Sequence, residues 1–337
     1  MEIKQLWFSV AVGSAIGARY VWSRMKRYDV NGKTVAISGG TRGLGYLLAR
    51  EFARRGGRVF IFSRSDEEIR RAVARLRSES LHVDGLHCDV RDANDVAGAV
   101  SAIVQRSGRL DVIVNNAGVI QVTPFENAHV EDFEESLRTH FWGPLHMIRA
   151  AMPYLRRGRG RVLNVSSIGG RIGVPHLSPY CAGKFALVGL SESLRAELAK
   201  DGICVTTATP GLMRTGSHVR VSLRGQHARE ARWFAAAVAT PLTSMSADRA
   251  AHQMVEACLS GRAHVTPGIQ ARTAEILNAV APELFAEMTS LVTRAVLPGP
   301  AGTAAGDDAK LATDVGFGWL SPFLPNGASR RNNEIPA

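Results

Sequence analysis

Short runs rich in β-branched residues alternate with longer helical stretches from Gly32 to about Gly268. The predicted strands are Thr34–Ser38, Arg58–Phe62, Leu81–Cys88, Asp111–Asn115, Arg161–Ser166, Ile203–Thr209 and Ala263–Thr266. The predicted helices are Leu44–Arg55, one that opens at Ser65, Ala93–Ser107, Asp132–Leu155, Tyr180–Lys200 and Ser246–Ser260. Such alternation favours right-handed βαβ units around a buried parallel sheet. We therefore expect an α/β fold whose ligand crevice lies at the carboxyl ends of the strands.

Two local signals refine these elements. Ser65 is followed three residues later by Glu68, which is the spacing of a helix capping box. Pro144 falls inside the long predicted helix, and we expect it to kink that helix because proline has no backbone N–H to donate.

The 337 residues are enough for one large α/β domain with extensions or for two modest domains. We divide the chain into an apolar N-terminal segment (1–28), a single α/β domain (29–270) and a C-terminal extension (271–337). In the extension, Pro282–Val296 predicts an amphipathic helix and Gly299–Asp308 a flexible linker. The apolar stretch Phe317–Leu324 is interrupted by proline and glycine, and we expect it to dock on a subunit or on a membrane.

The N-terminal segment is uncharged and mostly apolar from Leu6 to Ala18, where Arg19 interrupts it. This run is shorter than the ~20 residues that span a bilayer. Three interpretations stay open: a marginal span in which Arg19 snorkels, an interfacial anchor, or an extra helix packed on the domain or a partner subunit. We expect a cytoplasmic protein, with attachment to a membrane surface through this segment as the alternative.

The chain is strongly basic, with a formal net charge of +11. Its arginines are scattered and no nucleic-acid-binding motif accompanies them, so we expect a cationic surface and no nucleic-acid partner. The four cysteines lack both the density of a disulfide scaffold and metal-ligand spacing, which favours a reducing compartment. Several histidines also lack metal spacing, and we expect no metal site; they are His82, His87, His129 and His146.

Three spaced glycines, Gly39, Gly43 and Gly45, lie between the first predicted strand and the first helix. Glycines at such a turn let the backbone approach a pyrophosphate. The N-terminus of the following helix adds free N–H groups and a partial positive charge. A tight βα turn alone would also use glycine, but the position after the first strand favours a dinucleotide loop that includes Thr41 and Leu44.

The charge at the end of the second strand indicates which dinucleotide binds. A site selective for NAD(H) places a carboxylate there to hold the ribose hydroxyls. This chain has Ser63 and Arg64 at that place, and Arg42 lies in the glycine loop itself. Two guanidiniums and a hydroxyl suit a 2′-phosphate. We predict NADP(H) rather than NAD(H), although both arginines also suit an ordinary solvated surface.

Tyr180 and Lys184 are four residues apart at the start of a predicted helix, so they share one face. A tyrosine hydroxyl titrates near ~10 in water. A nearby ammonium lowers that pKa by ~1–3 units. The pair therefore predicts an acid/base for the interconversion of a carbonyl and an alcohol, although Tyr-x-x-x-Lys also occurs in helices by chance.

Six motifs follow one another along the chain. They are Gly39–Gly45, Cys88–Val90, Asn115–Gly118, Asn164–Ser167, Tyr180–Lys184 and Pro210–Gly211. This series resembles the short-chain dehydrogenase/reductase family over about Val30 to Gly268. The resemblance implies a doubly wound parallel sheet, the Rossmann fold, with cofactor and substrate sites in one domain. It also implies a homo-oligomer assembled through the long helices.

The resemblance assigns a role to each matching residue. Tyr180 would be the general acid/base, Lys184 would lower its pKa and hold the nicotinamide ribose, and Ser167, rather than Ser166, would hydrogen-bond the substrate oxygen. The other matches would border the cofactor: Asp89 and Val90 at the adenine, Asn116, Ala117 and Gly118 at the ribose, and Pro210, Gly211 and Thr215 at the nicotinamide.

One position departs from the family pattern. His140 stands where members usually have an asparagine that is thought to hold a water linking the lysine to solvent. A histidine also accepts, donates and relays protons. Three interpretations follow: a working variant of the relay, with His140 catalytic; a slower enzyme; or a protein that binds nucleotide with little turnover.

The segment that determines the substrate follows Pro210-Gly211 and runs from Leu212 to about Ser244. Met213, Trp233, Phe234 and Val238 make it apolar, which predicts a bulky apolar alcohol or ketone, lipid-like or steroid-like. Arginines in the same segment either meet an anionic group or form a solvated helix face; they are Arg214, Arg220, Arg224, Arg229 and Arg232.

Hydride transfer between nicotinamide and a carbonyl carbon, with Tyr180 moving the proton, is the predicted reaction. The alternative is a nucleotide-binding scaffold or sensor of the same fold with little turnover. A sugar-nucleotide epimerase or dehydratase is disfavoured because Gly39–Gly45 has the spacing of the shorter branch of the family.

Overall fold

The computed structural model describes residues 27–302, 309–311 and 332. The proposed membrane segment at residues 6–22 and the apolar stretch 317–324 lie outside these described residues. Within the described part of the chain, no helix combines the length and the apolar character needed to cross a bilayer.

A seven-stranded sheet forms the centre of the molecule, and neighbouring strands pair in parallel. Its strands are β1 (Thr34–Ser38), β2 (Arg58–Ser63), β3 (Val83–His87), β4 (Val112–Asn115), β5 (Arg161–Val165), β6 (Cys204–Ala208) and β7 (His264–Val265). The spatial order is β3-β2-β1-β4-β5-β6-β7. The order reverses between β1 and β4, where Ile37 pairs with both Ile61 and Val114. The predicted doubly wound Rossmann sheet is confirmed.

Helices cover both faces of this sheet, and the central strands β1 and β4 are therefore buried along their whole length. The helices are α1 (Gly43–Arg54), α2 (Asp66–Ser78), α3 (Ala93–Ser107), α4 (Val130–Leu137), α5 (Gly143–Gly158), α6 (Ser178–Leu198), α7 (His227–Ala239), α8 (Ala247–Leu259), α9 (Ile269–Val280) and α10 (Pro282–Val296). One apolar core lies under α1, α2 and α8, and a second lies under α3 and α5.

The long helix predicted over 132–155 is divided by a wide turn at Arg138–Trp142. In this turn the Gly143 amide donates to the Arg138 carbonyl, five residues back, as in a π-helix. Pro144 follows directly, at the second residue of α5, where it has no N–H to donate to the preceding helical turn. The irregularity therefore precedes Pro144, and it places His140 in the turn.

The C-terminal extension contains the predicted helix Pro282–Val296, observed with the same bounds. This helix has no buried residue, and Leu291 on its apolar side is 69% exposed. The predicted flexible linker 299–308 is held at its start, because Ala301 exchanges two hydrogen bonds with the Asn127 side chain. Further on, Lys310–Leu311 pairs antiparallel with Ser222–Leu223.

Candidate active site

A cavity of about 800 Å³ opens at the carboxyl ends of the central strands. Every residue that the sequence analysis assigned to the cofactor or to catalysis lines this cavity. The structure therefore brings together the glycine loop after β1, the Ser63–Arg64 end of β2, the segment after β4, and the Ser–Tyr–Lys constellation. Their meeting at one edge follows from the parallel sheet, since all of these strands end on the same side.

Two glycines of the loop, Gly39 and Gly45, have no room for a side chain. Gly39 adopts a φ of +63°, and a Cβ there would lie 2.9 Å from the Ala117 Cα. A Cβ on Gly45 would lie 2.0 Å from the Gly39 carbonyl oxygen. The Asn116 side chain braces the loop by donating to the Ser38 and Gly39 carbonyls at 3.1 and 3.0 Å. The loop is thus a preformed cradle at the N-terminus of α1, which fits a pyrophosphate.

The first amide of α1 already has a partner from the far end of the chain. The Gly43 N–H donates to the carbonyl oxygen of Asn332 at 2.8 Å. Asn332 is buried, and its side-chain amide donates to the Thr215 carbonyl at 2.9 Å. A pyrophosphate that used the Gly43 amide would have to replace this contact.

An acidic residue that the sequence analysis did not assign to the site lies beside the predicted 2′-phosphate position. Ser65 accepts from the Glu68 amide at 3.3 Å, as predicted for a cap. The Glu68 carboxylate, however, accepts from Thr41 at 3.2 Å and lies 3.7 Å from the Arg42 guanidinium. Arg220 lies 3.6 Å from the other carboxylate oxygen. Attraction to two guanidiniums therefore replaces the reciprocal bond of a capping box.

Asp89, predicted at the adenine, is bound by an arginine two residues further on. The Arg91 guanidinium donates to the Asp89 carboxylate at 2.6 and 3.0 Å. Burial alone would raise the pKa of Asp89, but the hydrogen bonds from Arg91 outweigh it and lower that pKa. Arg91 also lines the cavity, a position that no motif indicated.

Ser167 lies in the turn that follows β5, and Tyr180 and Lys184 lie in the first turns of α6. The Ser167 hydroxyl accepts from the Gly169 amide at 3.1 Å, and its proximity to the Tyr180 hydroxyl acts to lower the pKa of Tyr180. The Lys184 Nζ donates to the Val165 carbonyl at 3.0 Å and lies 5.6 Å from the centre of the Tyr180 ring. Ser166 is a packing residue, because its buried hydroxyl donates to the Lys184 carbonyl at 2.9 Å.

Burial dominates the acid–base properties of this constellation. It raises the pKa of Tyr180 to about 12 and lowers the pKa of Lys184 to about 7. The predicted lowering of the Tyr180 pKa by Lys184 is not observed, because burial raises that pKa and the Lys184 Nζ donates to the Val165 carbonyl. Tyr180 therefore keeps its proton at neutral pH, which suits a proton donor.

His140 is buried at the wide turn, edge-on to the Tyr180 ring with 5.4 Å between ring centres. Its Nε2 accepts from the Val119 amide at 3.2 Å, and its Nδ1 lies 3.1 Å from the Ser136 hydroxyl. Burial, and then the charge of Lys184, holds its pKa well below the usual value. The imidazole is neutral, and both of its nitrogens have internal partners.

The substrate part of the cavity has largely apolar walls. They include Ile120, Ile172, Val174, Leu177, Leu212, Met213, Trp233, Phe234, Val238 and Leu311. The predicted substrate segment, Leu212 to about Ser244, is called the lid. Two of its arginines bind internal partners, since Arg214 donates to the Ser244 carbonyl at 2.9 Å and Arg224 pairs with Asp132 at 2.8 Å. Leu311 reaches the cavity from the C-terminal extension.

Comparisons with known proteins agree with this site. The sequence profile of the short chain dehydrogenase family matches residues 33–224. A putative ketoacyl reductase of Streptomyces coelicolor is 37% identical over 186 residues, which are 53% of this chain and 70% of that protein. An 11-beta-hydroxysteroid dehydrogenase-like protein (4A) of Arabidopsis thaliana is 33% identical over 258 residues, 76% of this chain and 83% of that protein.

Among solved structures, a variant of actinorhodin polyketide ketoreductase with NADPH has a TM-score of 0.62 and 28% sequence identity to this chain. The match covers 71% of this chain and 97% of that one. The family profile covers more than half of the sequence and includes the glycine loop, Ser167, Tyr180 and Lys184. This chain therefore belongs to the short-chain dehydrogenase/reductase family of NAD(P)-dependent oxidoreductases.

Proposed function

We propose that this protein is an NADPH-dependent reductase that converts a bulky apolar ketone, lipid-like or steroid-like, to the alcohol. The observation that carries the proposal is that Ser167, Tyr180 and Lys184 line the same cavity as the glycine loop. The names of the similar proteins support it, since they include a ketoacyl reductase, a hydroxysteroid dehydrogenase-like protein and a ketoreductase with NADPH.

The residues at the cofactor end suit NADPH. The glycine cradle and the α1 amides would hold the pyrophosphate, while Arg42, Arg64 and Ser63 would hold the 2′-phosphate through charge-assisted hydrogen bonds. When bound, the cofactor supplies the hydride that reduces the carbonyl carbon. Lys184 would bind the hydroxyls of the nicotinamide ribose.

Tyr180 would donate the proton to the carbonyl oxygen. Burial raises its pKa to about 12, so the phenol is protonated at neutral pH and has a proton to donate. Ser167 lies close enough to Tyr180 to act on its pKa and would position the same carbonyl oxygen. The substrate oxygen would thus accept hydrogen bonds from both hydroxyls.

Turnover of NADPH with a panel of steroid, fatty and small ketones tests the proposal. We expect NADPH oxidation with the bulky apolar ketones and a higher kcat/KM for NADPH than for NADH. Tight NADPH binding without turnover of any ketone would instead support the scaffold or sensor. A preference for NADH would contradict the roles assigned to Arg42 and Arg64.

A further inference from the structure

The lid helix α7 contains a fully buried carboxylate next to the substrate part of the cavity. Glu230 is 0% exposed. Burying a carboxylate is strongly unfavourable unless donors satisfy its oxygens. The His176 Nδ1 lies 3.0 Å from each oxygen, and the Trp233 Nε1 donates to one of them at 2.6 Å. Glu230 thus joins two segments that meet at the cavity.

His176 keeps a backbone conformation that histidine seldom adopts. Its φ is +61°, in the left-handed region. Its carbonyl accepts from the Thr123 amide at 2.8 Å, and its ring binds Glu230. These contacts hold the strained residue just before α6, which carries Tyr180. The lid is therefore fastened to the segment that leads into the catalytic helix.

Trp233 is the member of this network that reaches the cavity. Its indole stands edge-on to the His176 ring at 6.2 Å and to the Phe234 ring at 5.7 Å. Trp233 and Tyr180 pack against the same small apolar cluster. The plane of the indole is thus fixed by the Nε1 bond to Glu230 and by the two ring contacts. An aromatic residue held by apolar packing alone has no such directional bond.

We propose that Trp233 determines substrate specificity, with Glu230 and His176 as positioning residues, and that it favours ketones carried on a flat fused-ring system over flexible linear ketones. The inference deepens the proposed function and rests on it. A rigid aromatic wall gains contact area and dispersion attraction from a rigid ligand with a broad face. A flexible chain loses conformational freedom when it is held against the same wall.

The test measures binding, so that it does not depend on turnover. Calorimetry on the protein saturated with NADP⁺ gives the Kd of 2-decalone, a fused bicyclic ketone, and of 2-decanone, a linear ketone with the same number of carbons. We expect tighter binding of the bicyclic ketone to the unaltered protein. Trp233→Phe should reduce the ratio of the 2-decanone Kd to the 2-decalone Kd about fivefold or more. The reason is that the ring loses the Nε1–H that binds Glu230 and is then free to turn.

Three further variants separate positioning from general damage. Glu230→Gln and His176→Asn should shift the same ratio in the same direction while the Kd of NADPH stays within about twofold. Trp142→Phe is the matched control, because Trp142 lies in the wide turn and is absent from the cavity lining. An unchanged ratio in Trp233→Phe, equal shifts in both tryptophan variants, or no binding of either ketone would overturn the inference. Ring-selective binding without NADPH oxidation would overturn only the proposed function.

Discussion

The Val119 amide donates to the Nε2 of His140 at 3.2 Å, so the proton of the neutral imidazole lies on Nδ1. Nδ1 in turn donates to the Ser136 hydroxyl at 3.1 Å. The ring therefore ties the segment after β4 to the end of α4. This geometry favours a bracing role for His140, which the sequence did not suggest, over the working relay that was one of the three interpretations.

Replacing His140 distinguishes these roles. His140→Ala removes the partner of the half-buried Val119 N–H and should lower the free energy of unfolding by about 1 kcal/mol. In His140→Asn we expect kcat within about threefold of the unaltered protein, since general acid–base groups contribute ~100-fold or more. The pH profile of kcat between pH 6 and 8 should keep its shape, because a pKa well below the usual value keeps His140 neutral there. A large loss of kcat in His140→Asn would instead support the interpretation of His140 as a working proton relay.

Tyr180→Phe removes only the proposed proton donor. We expect kcat for ketone reduction to fall by ~100-fold or more, while the Kd of NADPH, measured by its fluorescence, stays within about twofold. Tyr154→Phe on α5 is the matched control and should leave both values unchanged, because Tyr154 does not line the cavity. Equal kcat values in the two variants would remove Tyr180 from the mechanism.

The sequence predicted much of the fold because buried parallel strands are continuous apolar runs between helices. The strand expected over 203–209 is observed at Cys204–Ala208, and the helix expected over 246–260 is observed at Ala247–Leu259. The wide turn before Pro144 was not predicted, since its apolar periodicity matches an α-helix. The position of the wide turn depends on tertiary packing. One example is Gly143, which lies so close to Val90 that a Cβ there would be 3.0 Å from the Val90 side chain.

The residues predicted to bind the cofactor or to act in catalysis all line the cavity, because most of the motifs that contain them follow strands of the same parallel sheet. Glu68, Arg91, Leu311 and Asn332 were missed, since they reach the site through side-chain length or from distant parts of the chain. The shift in the Tyr180 pKa was also misjudged. The Tyr-x-x-x-Lys spacing reports proximity, whereas the depth of burial, which raises that pKa, is a property of the folded chain.

Lys184 should make stability depend on pH. Its pKa falls from 10.5 in the unfolded chain to about 7 in the fold, so between these values unfolding takes up a proton and stability rises with pH. The burial of Lys184 therefore destabilises the folded protein most below pH 7, and this destabilisation decreases as the pH rises towards 10.5. Thermal unfolding should therefore give Lys184→Met a higher Tm than the unaltered protein at pH 6.5, with a smaller difference at pH 9. Lys200→Met, at an exposed position, should show no such pH-dependent difference.

Arg42 and Arg64 should determine cofactor preference. Arg42→Ala and Arg64→Ala should each raise the KM for NADPH about tenfold and leave the KM for NADH within about twofold, because only NADPH carries the 2′-phosphate. Glu68→Gln should lower the KM for NADPH, since it removes a carboxylate 3.7 Å from the Arg42 guanidinium. Arg70→Ala is the control, as Arg70 is exposed and does not line the cavity. Equal effects on both cofactors would contradict the assignment.

The contact between Gly43 and Asn332 predicts that the end of the chain competes with the cofactor. A chain that stops at Leu320 lacks Asn332, so the Gly43 amide is free to bind pyrophosphate. We expect its Kd for NADPH to fall about three- to tenfold, the net value of one hydrogen bond. Asn332→Ala loses the bond to the Thr215 carbonyl. Its Kd for NADPH should also fall, but by less than in the shortened chain.

Two controls separate this competition from a general effect of shortening the chain. Removing only Pro336 and Ala337 leaves Asn332 in place and should not change the Kd of NADPH. The affinity for adenosine 2′-monophosphate should be the same in all of these proteins, because that fragment has no pyrophosphate to compete with the Asn332 carbonyl. If the shortened chain bound both ligands more tightly, the tail would be screening the whole cavity rather than one amide. If it bound NADPH no more tightly, the Asn332 carbonyl would not compete with the cofactor.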